Sequence, residues 1–245
     1  MLLSLERLFR SLLRRLYFVR EFLVFRELSR HSRQRFSLVW RDVYPFLKEK
    51  TNESGFDRHY FYHTAWAARI LAKTDLKIHI DIGSHVFFSG IMSAFLHIHF
   101  FDYRPANIQL DNLTSGSADL VNLPFKSASV SSLSCMHVVE HVGLGRYGDL
   151  LDYDGDLKAM TELERILAKG GNLLFVVPVG KPKILFNAHR IYSHRQIIDI
   201  FSSLTLKEFS LVPDNQSDGG LIRDASEQMA NNQYFGCGCF WFVKS

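Results

Sequence analysis

Three clusters of side chains have the types and spacing for chemistry. The first is Asp81-Ile-Gly83-Ser84, preceded by Lys77-Ile-His-Ile80 and followed by His85-Val-Phe-Phe-Ser-Gly90. It reads as a buried strand, a glycine turn and a helix. A second short strand, 97–101, ends on Asp102-Tyr103-Arg104-Pro105. Such a turn brings backbone N–H groups close to a nucleotide-like ligand, and an acid about 20 residues on can accept from ribose hydroxyls. On these residues alone a dinucleotide, another nucleoside cofactor and a purely structural turn all stay open. The second cluster is Asp119-Leu120 ahead of Leu123-Pro124-Phe125.

The third cluster is His137-Val-Val-Glu140-His141, running on through Gly143, Gly145, Arg146, Tyr147 and Gly148 to Asp149. Imidazole titrates near neutrality, so His137 and His141 are candidate general bases. Arg146 and Tyr147 beside them are polar groups on backbone that can approach a ligand closely. The same five residues match the H-x-x-E-H pattern of a zinc-peptidase class, in which two histidines share a helix face and the glutamate is the base. A catalytic zinc needs a third protein ligand, and the sequence singles out none, so no metal is expected. Asp152-Tyr-Asp154-Gly-Asp156 fails as a calcium loop, because Leu157 and Leu163 stand at its glycine and twelfth positions. There is no Gly-x-Ser-x-Gly elbow and no phosphate-binding loop of the Walker type.

The elements that must position these clusters follow from periodicity. Residues 1–30 read as one amphipathic helix, with Leu2, Leu5, Phe9, Leu12, Leu16, Val19 and Leu23 forming a heptad seam. Residues 31–56 read as a connector with a short helical piece over 36–48. Asp57 caps a helix reaching about Lys73. A fourth strand at 130–136 precedes the histidine run. A helix over 155–168 is closed by Gly170 in a left-handed cap, and a strand over 172–177 starts at once. Residues 189–193 open a helix capped by Ser193. Strands at 206–212 and 234–243 close the chain, joined by a connection at 213–233 long enough to suggest function or mobility.

In this order the clusters resemble the class I S-adenosylmethionine (SAM)-dependent methyltransferases. Asp81 and Gly83 match the acid-x-Gly start of that family's first motif, although His85 and Phe87 replace its second and third glycines. An acid about five residues before Leu-Pro-Phe, here Asp119, is a further feature of the family, as is Glu-Arg-Ile-Leu-Ala-Lys-Gly-Gly at 164–171 before the fifth strand. The resemblance covers about residues 57–245. In detail, Phe-Phe-Ser-Gly, Asp-Tyr-Arg-Pro, the His137 to Asp149 run and Val-Gly-Lys-Pro at 179–182 are most similar to a family of uncharacterised methyltransferase-like proteins. Some bacterial members of that family are associated with surface-polysaccharide synthesis.

The resemblance implies an α/β, Rossmann-like, doubly wound domain. Its seven-stranded sheet would be mostly parallel with an antiparallel last strand, and would follow a helical extension over 1–56. It implies methyl transfer from SAM to a small-molecule or sugar-containing acceptor. Asp81, Gly83 and Ser84 would form the cofactor turn, Asp102 and Tyr103 would meet the ribose, and Asp119 with Leu120 would hold the adenine. A methyltransferase fold serving as a non-catalytic scaffold at a membrane is the alternative, and a zinc hydrolase built on His137, Glu140 and His141 is a third reading.

The 245 residues suffice for one α/β domain and an appendage. The net charge of +4 is unevenly placed: residues 1–36 hold nine Arg and three Glu, and the remainder sums to −2. The body is thus not a nucleic-acid binder by charge. A basic, aromatic-rich helix instead suits an anionic lipid surface or self-association. Three cysteines without framework spacing fit a reducing, cytoplasmic setting, peripheral on the inner face of a membrane if the helix meets lipid. No apolar run reaches the ~18–20 residues of a membrane span, and charges interrupt any signal-peptide core.

Overall fold

The computed structural model describes residues 2–33 and 35–245, with side chains from residue 6 onward. The chain divides into two compact units, the residues up to Gly55 and Phe56–Ser245.

The first unit is dominated by α1 (Leu2–Arg30). The side chains of Leu2 and Leu5, the first two seam positions, lie outside the described residues. The rest of the seam is open: Phe9, Leu12, Leu16, Val19 and Leu23 are all exposed. Phe22 packs edge-on to Trp40 at 4.9 Å between ring centroids, and Lys50 pairs with Glu21. The expected helical piece over 36–48 shrinks to a single 3₁₀ turn, Trp40–Asp42. Pro45 and the β-branched Val39 and Val43 flank that turn and favour extended backbone. No described helix is long and apolar enough to cross a membrane.

The second unit is a sheet covered on both faces. Helix α2 (Arg58–Leu71) starts where Asp57 accepts from the Tyr60 N–H at 3.1 Å. It buries His63, Trp66, Ala67, Ile70 and Leu71, an i, i+3, i+4, i+7, i+8 stripe. Strand β1 (Ile78–Ile82) leads to α3 (Val86–Met92), β2 (His97–Asp102), β3 (Leu113–Ser117) and β4 (Val130–Met136). Helix α4 (Gly155–Ile166) precedes the long strand β5 (Leu167–Val179). A hairpin of β6 (Lys183–Leu185) and β7 (His189–Ile191) follows, then α5 (His194–Ile200) and β8 (Leu204–Val212). The chain ends with β9 (Ile222–Arg223), α6 (Glu227–Asn231) and β10 (Gly236–Lys244).

The main sheet runs β3-β2-β1-β4-β5-β10-β8-β9. The first five strands are parallel, and β10 is inserted antiparallel between β5 and β8. This is the expected doubly wound sheet with a reversed last strand. It has eight strands rather than seven, because two residues of the long 213–233 connection add an antiparallel edge through β9. Helices α4 and α5 cover one face around Met160, Leu163, Phe175, Phe201 and Phe240, while α2 and α3 cover the other around Trp66, Phe88, Met136 and Cys239. Because both faces are buried, β5 reads as continuous Leu-Leu-Phe-Val-Val rather than as alternation.

Two local expectations are corrected. Helix α4 ends at Ile166 and the chain becomes extended at Leu167, so Gly170 (φ +73°) is no helix cap. It sits in a bulge of β5, where the pairing with β4 jumps from Leu167 to Asn172. Residues 189–191 form a strand instead of opening the helix, which starts at His194 behind a full capping box of Ser193 and Gln196.

Candidate active site

The strand order reverses between β1 and β4, and there the carboxyl ends of the strands open into a crevice. A cavity of about 310 Å³ lies at this edge. Gly83 after β1, Asp102 and Tyr103 at the end of β2, and Asp119 and Leu120 after β3 line one side; His137, His141 and Tyr147 line the other. Of the eleven site residues expected from the sequence, eight therefore face the cavity. Asp81, Ser84 and Arg146 do not.

Asp81 is fully buried, and burial pushes its pKa up against the hydrogen bonds it accepts. Its carboxylate takes hydroxyls from Ser89 and, at 2.8 Å, Ser134. Ser134 spends its proton there, so the 2.8 Å contact to His79 Nε2 has the imidazole donating. His79 Nδ1 then accepts from Ser132 at 2.7 Å. Burial lowers the His79 pKa to about 3, consistent with a neutral ring in this chain. Ser84 Oγ accepts the Met136 N–H at 3.1 Å and is likewise buried. Both residues fix the turn from behind, and neither lines the cavity.

Gly83 is where the turn meets the cavity. Its φ of +69° needs glycine, and an added Cβ would stand 3.0 Å from Val138 Cγ1 and 3.6 Å from Asp102 Oδ2. The two missing glycines are not needed at their positions: His85 has ordinary extended backbone as the N-cap of α3, and Phe87 lies in the helix, exposed. Asp102 Oδ1 accepts the Arg104 N–H at 2.7 Å, and Asp119 Oδ1 accepts that of Val121 at 3.1 Å. Each carboxylate thus keeps a second oxygen for a ligand. Leu120, buried, adds an apolar side chain to the same lining.

The opposite wall is irregular backbone. His137 has φ +58°, and only a 3₁₀ turn, Val139–His141, follows. The α-helix that the H-x-x-E-H reading requires is absent, so the two histidines do not share a face. Glu140 Oε1 accepts from His137 Nδ1 at 2.8 Å and is 3.8 Å from His141 Nε2. The zinc-peptidase arrangement is therefore not formed. His141 Nδ1 lies 2.5 Å from the Ala188 carbonyl oxygen, a distance that requires Nδ1 to carry the proton and leaves Nε2 as the basic nitrogen. Burial lowers the His141 pKa; Glu140 and Ala188 oppose this, and the Arg146 charge adds to it. His137 behaves oppositely. Burial disfavours its charge, but the Cys237 sulfur and Glu140 outweigh burial and raise its pKa to about 10.

Arg146 acts on the site through neighbours. It donates to the Ala188 oxygen at 3.1 Å and stacks over Tyr147 at 5.2 Å, while Arg104 stacks on the same ring at 4.4 Å. Asp149 ties the loop by accepting N–H bonds from Gly143, Gly145 and Tyr147. Buried Arg190 donates to the carbonyls of Val142 at 2.6 Å and Tyr153 at 2.9 Å, and pairs with Asp156 at 3.4 Å. Sequence reasoning missed Arg104, Arg190 and His59, which stacks 5.3 Å from His137. Arg104 stands in the Asp-Tyr-Arg-Pro motif but was given no role there, Arg190 and His59 lie in no motif, and only the third dimension brings all three to the run.

The fold is that of the class I SAM-dependent methyltransferases. Solved structures that share it include three with the following likeness. N-methyltransferase NodS from Bradyrhizobium japonicum, in complex with S-adenosylhomocysteine, is 16% identical with a TM-score of 0.50, covering 74% of this chain and 85% of that one. The Burkholderia thailandensis 1,6-didemethyltoxoflavin-N1-methyltransferase, with 1,6-didemethyltoxoflavin and S-adenosylhomocysteine bound, is 10% identical at a TM-score of 0.53, covering 77% and 80%. A SAM-dependent methyltransferase from Thermotoga maritima is 14% identical at 0.50, covering 77% and 90%. By sequence, residues 121–217 match the family described as Caenorhabditis protein of unknown function, DUF268. Comparison with curated proteins finds no match.

Proposed function

We propose that this chain is a SAM-dependent methyltransferase acting on a small-molecule or sugar-containing acceptor. The observation that carries the reading is the single crevice in which Gly83, Asp102, Asp119 and Leu120 face His141 and Tyr147. The donor set fits the cofactor: two carboxylates each with a free oxygen, an apolar side chain in the same lining, and a glycine whose missing Cβ leaves room beside Asp102. Two of the structural neighbours hold S-adenosylhomocysteine, which adds support.

SAM supplies an electrophilic methyl group on a sulfonium centre. The chain's own contribution is alignment, worth several kcal/mol when two reactants are held in line, together with proton removal. Asp102 binds the ribose hydroxyls and Asp119 the adenine amino group. Tyr103, exposed at the rim, borders the ribose. His141 Nε2 takes the acceptor's proton, while Nδ1–H on Ala188 holds the ring in that tautomer. Arg146 is a positioning residue that keeps His141 neutral. His137 lines the same wall, with its Nδ1 committed to Glu140. The test is calorimetry with S-adenosylhomocysteine and with NAD: the first binds and the second does not. NAD binding without a response to S-adenosylhomocysteine overturns the reading, and cofactor binding without turnover on any acceptor returns the scaffold alternative.

The sugar-containing acceptor rests on the motif resemblance alone. A cytoplasmic setting with α1 on an anionic membrane surface is favoured by the uncovered seam and the Arg excess of residues 1–36. Salt-sensitive co-sedimentation with anionic vesicles is then expected of the whole chain and not of one beginning at Phe56. Salt-independent pelleting or none at all leaves self-association as the role of the seam.

A further inference from the structure

We propose that His59, His137 and Cys237 form a zinc-binding site behind the acceptor wall. The three come from the first turn of α2, the end of β4 and the start of β10, and no sequence motif links them. A ring nitrogen of each histidine and Cys237 Sγ lie within 4.8 Å of one another. Tetrahedral zinc with Zn–N of about 2.0–2.1 Å and Zn–S of about 2.3 Å sets its ligands roughly 3.4–3.8 Å apart. Closing the trio by about an ångström therefore completes the geometry. One thiolate and two imidazoles suit this borderline-soft cation better than calcium or magnesium, which prefer oxygen.

Three further observations point to a ligand there. His137 Nδ1 is held by Glu140 at 2.8 Å, so buried Nε2 faces the Cys237 sulfur and has no oxygen or nitrogen partner. A carboxylate on one ring nitrogen, with the other turned to a second candidate ligand, is the arrangement that orients a histidine toward a metal. His63 is fully buried 5.2 Å from the His137 ring, and neither of its nitrogens has a partner. Orphaned buried nitrogens of this kind are destabilising unless something satisfies them. Finally, His137 is a non-glycine residue in left-handed backbone, a strain that recurs where geometry serves a site. The fourth position falls to His63 or to water. Binding requires the Cys237 proton and the His137 Nε2 proton to leave for solvent.

The test uses the whole chain, stripped with a chelator and titrated with Zn²⁺ against a chromophoric competitor, and separately with Co²⁺. One zinc per chain is expected. The Co²⁺ form should show a sulfur-to-metal charge-transfer band and the strong visible bands of four-coordinate cobalt. Cys237→Ser should abolish the charge-transfer band and weaken Zn²⁺ binding at least a hundredfold, His59→Ala should weaken it at least tenfold, and Cys135→Ser should change neither. X-ray absorption of the zinc-loaded wild-type chain, which needs no variant to fold, should report one sulfur and at least two imidazoles. A zinc shell without sulfur, or equal affinity in wild type and Cys237→Ser, overturns the site. None of these readouts depends on methyl transfer, so failure to bind S-adenosylhomocysteine leaves the proposal standing.

Discussion

The two walls of the crevice are built by opposite means. One is made of strand ends: Gly83 and Asp102 stand where β1 and β2 finish, Asp119 follows two residues after β3, and buried serine hydroxyls on Asp81 fix the turn from behind. The other is a loop over 137–154 held by a few long-range polar contacts, chiefly those of Asp149 and Arg190. The first wall inherits its precision from the sheet. The second depends on single residues, so damage there should be larger and more local.

The largest effect that can break this contrast is on stability. Gly143 has φ +79° and packs directly on the backbone of Asp152 and Gly155. Gly143→Ala should destabilise the protein by about 2–5 kcal/mol, combining left-handed strain with overpacking. The denaturant midpoint measures this, and Gly90→Ala, with open space around it, is the control. A loss below 1 kcal/mol would show the loop to be as forgiving as the strand ends.

Next in size is the cofactor wall itself. Asp102→Ala should weaken S-adenosylhomocysteine binding by about 1–3 kcal/mol through lost ribose contacts, with the folded structure unchanged. Calorimetry with unaltered affinity would remove Asp102 from the site. Smallest is the chemistry of the irregular wall. His141→Ala should leave cofactor affinity unchanged and lower turnover at least about tenfold, or about 1.4 kcal/mol in the barrier. Because the neutral ring is the base and its pKa is lowered, the rate should fall only as pH drops through a value below 6.5. Arg146→Ala removes a charge that contributes to the lowering, so its acid limb should move up. A limb that stays put would confine Arg146 to packing on Tyr147.

What was legible in the sequence divides along the same line. Strand order, the reversed last strand, Asp57 and Ser193 as caps, and the cavity positions of Gly83, Asp102 and Asp119 follow from periodicity, capping and family motifs that are local in the chain. The errors are equally physical. Asp81 looked like a ligand contact because it heads the motif, yet side chains alternate along β1 and its neighbours turned it into the sheet. The H-x-x-E-H spacing would have needed a helix to serve zinc, and the run instead leaves β4 through left-handed His137 into a 3₁₀ turn, as the glycine-rich loop after it suggested. Arg190 and Cys237 carried no signal, since their roles arise only when β7 and β10 close the edge.

The stack of Arg104, Tyr147 and Arg146 has a kinetic consequence. Arg104 leaves the cofactor wall and Arg146 the acceptor wall, so the tyrosine between them bridges the two sides at the rim. Two cation–π contacts of about 0.5–1 kcal/mol each are weak enough to part within a catalytic cycle, and strong enough to keep the bridge mostly formed. A rim held in this way sets a small barrier to any ligand entering the crevice, separate from the contacts made at its floor.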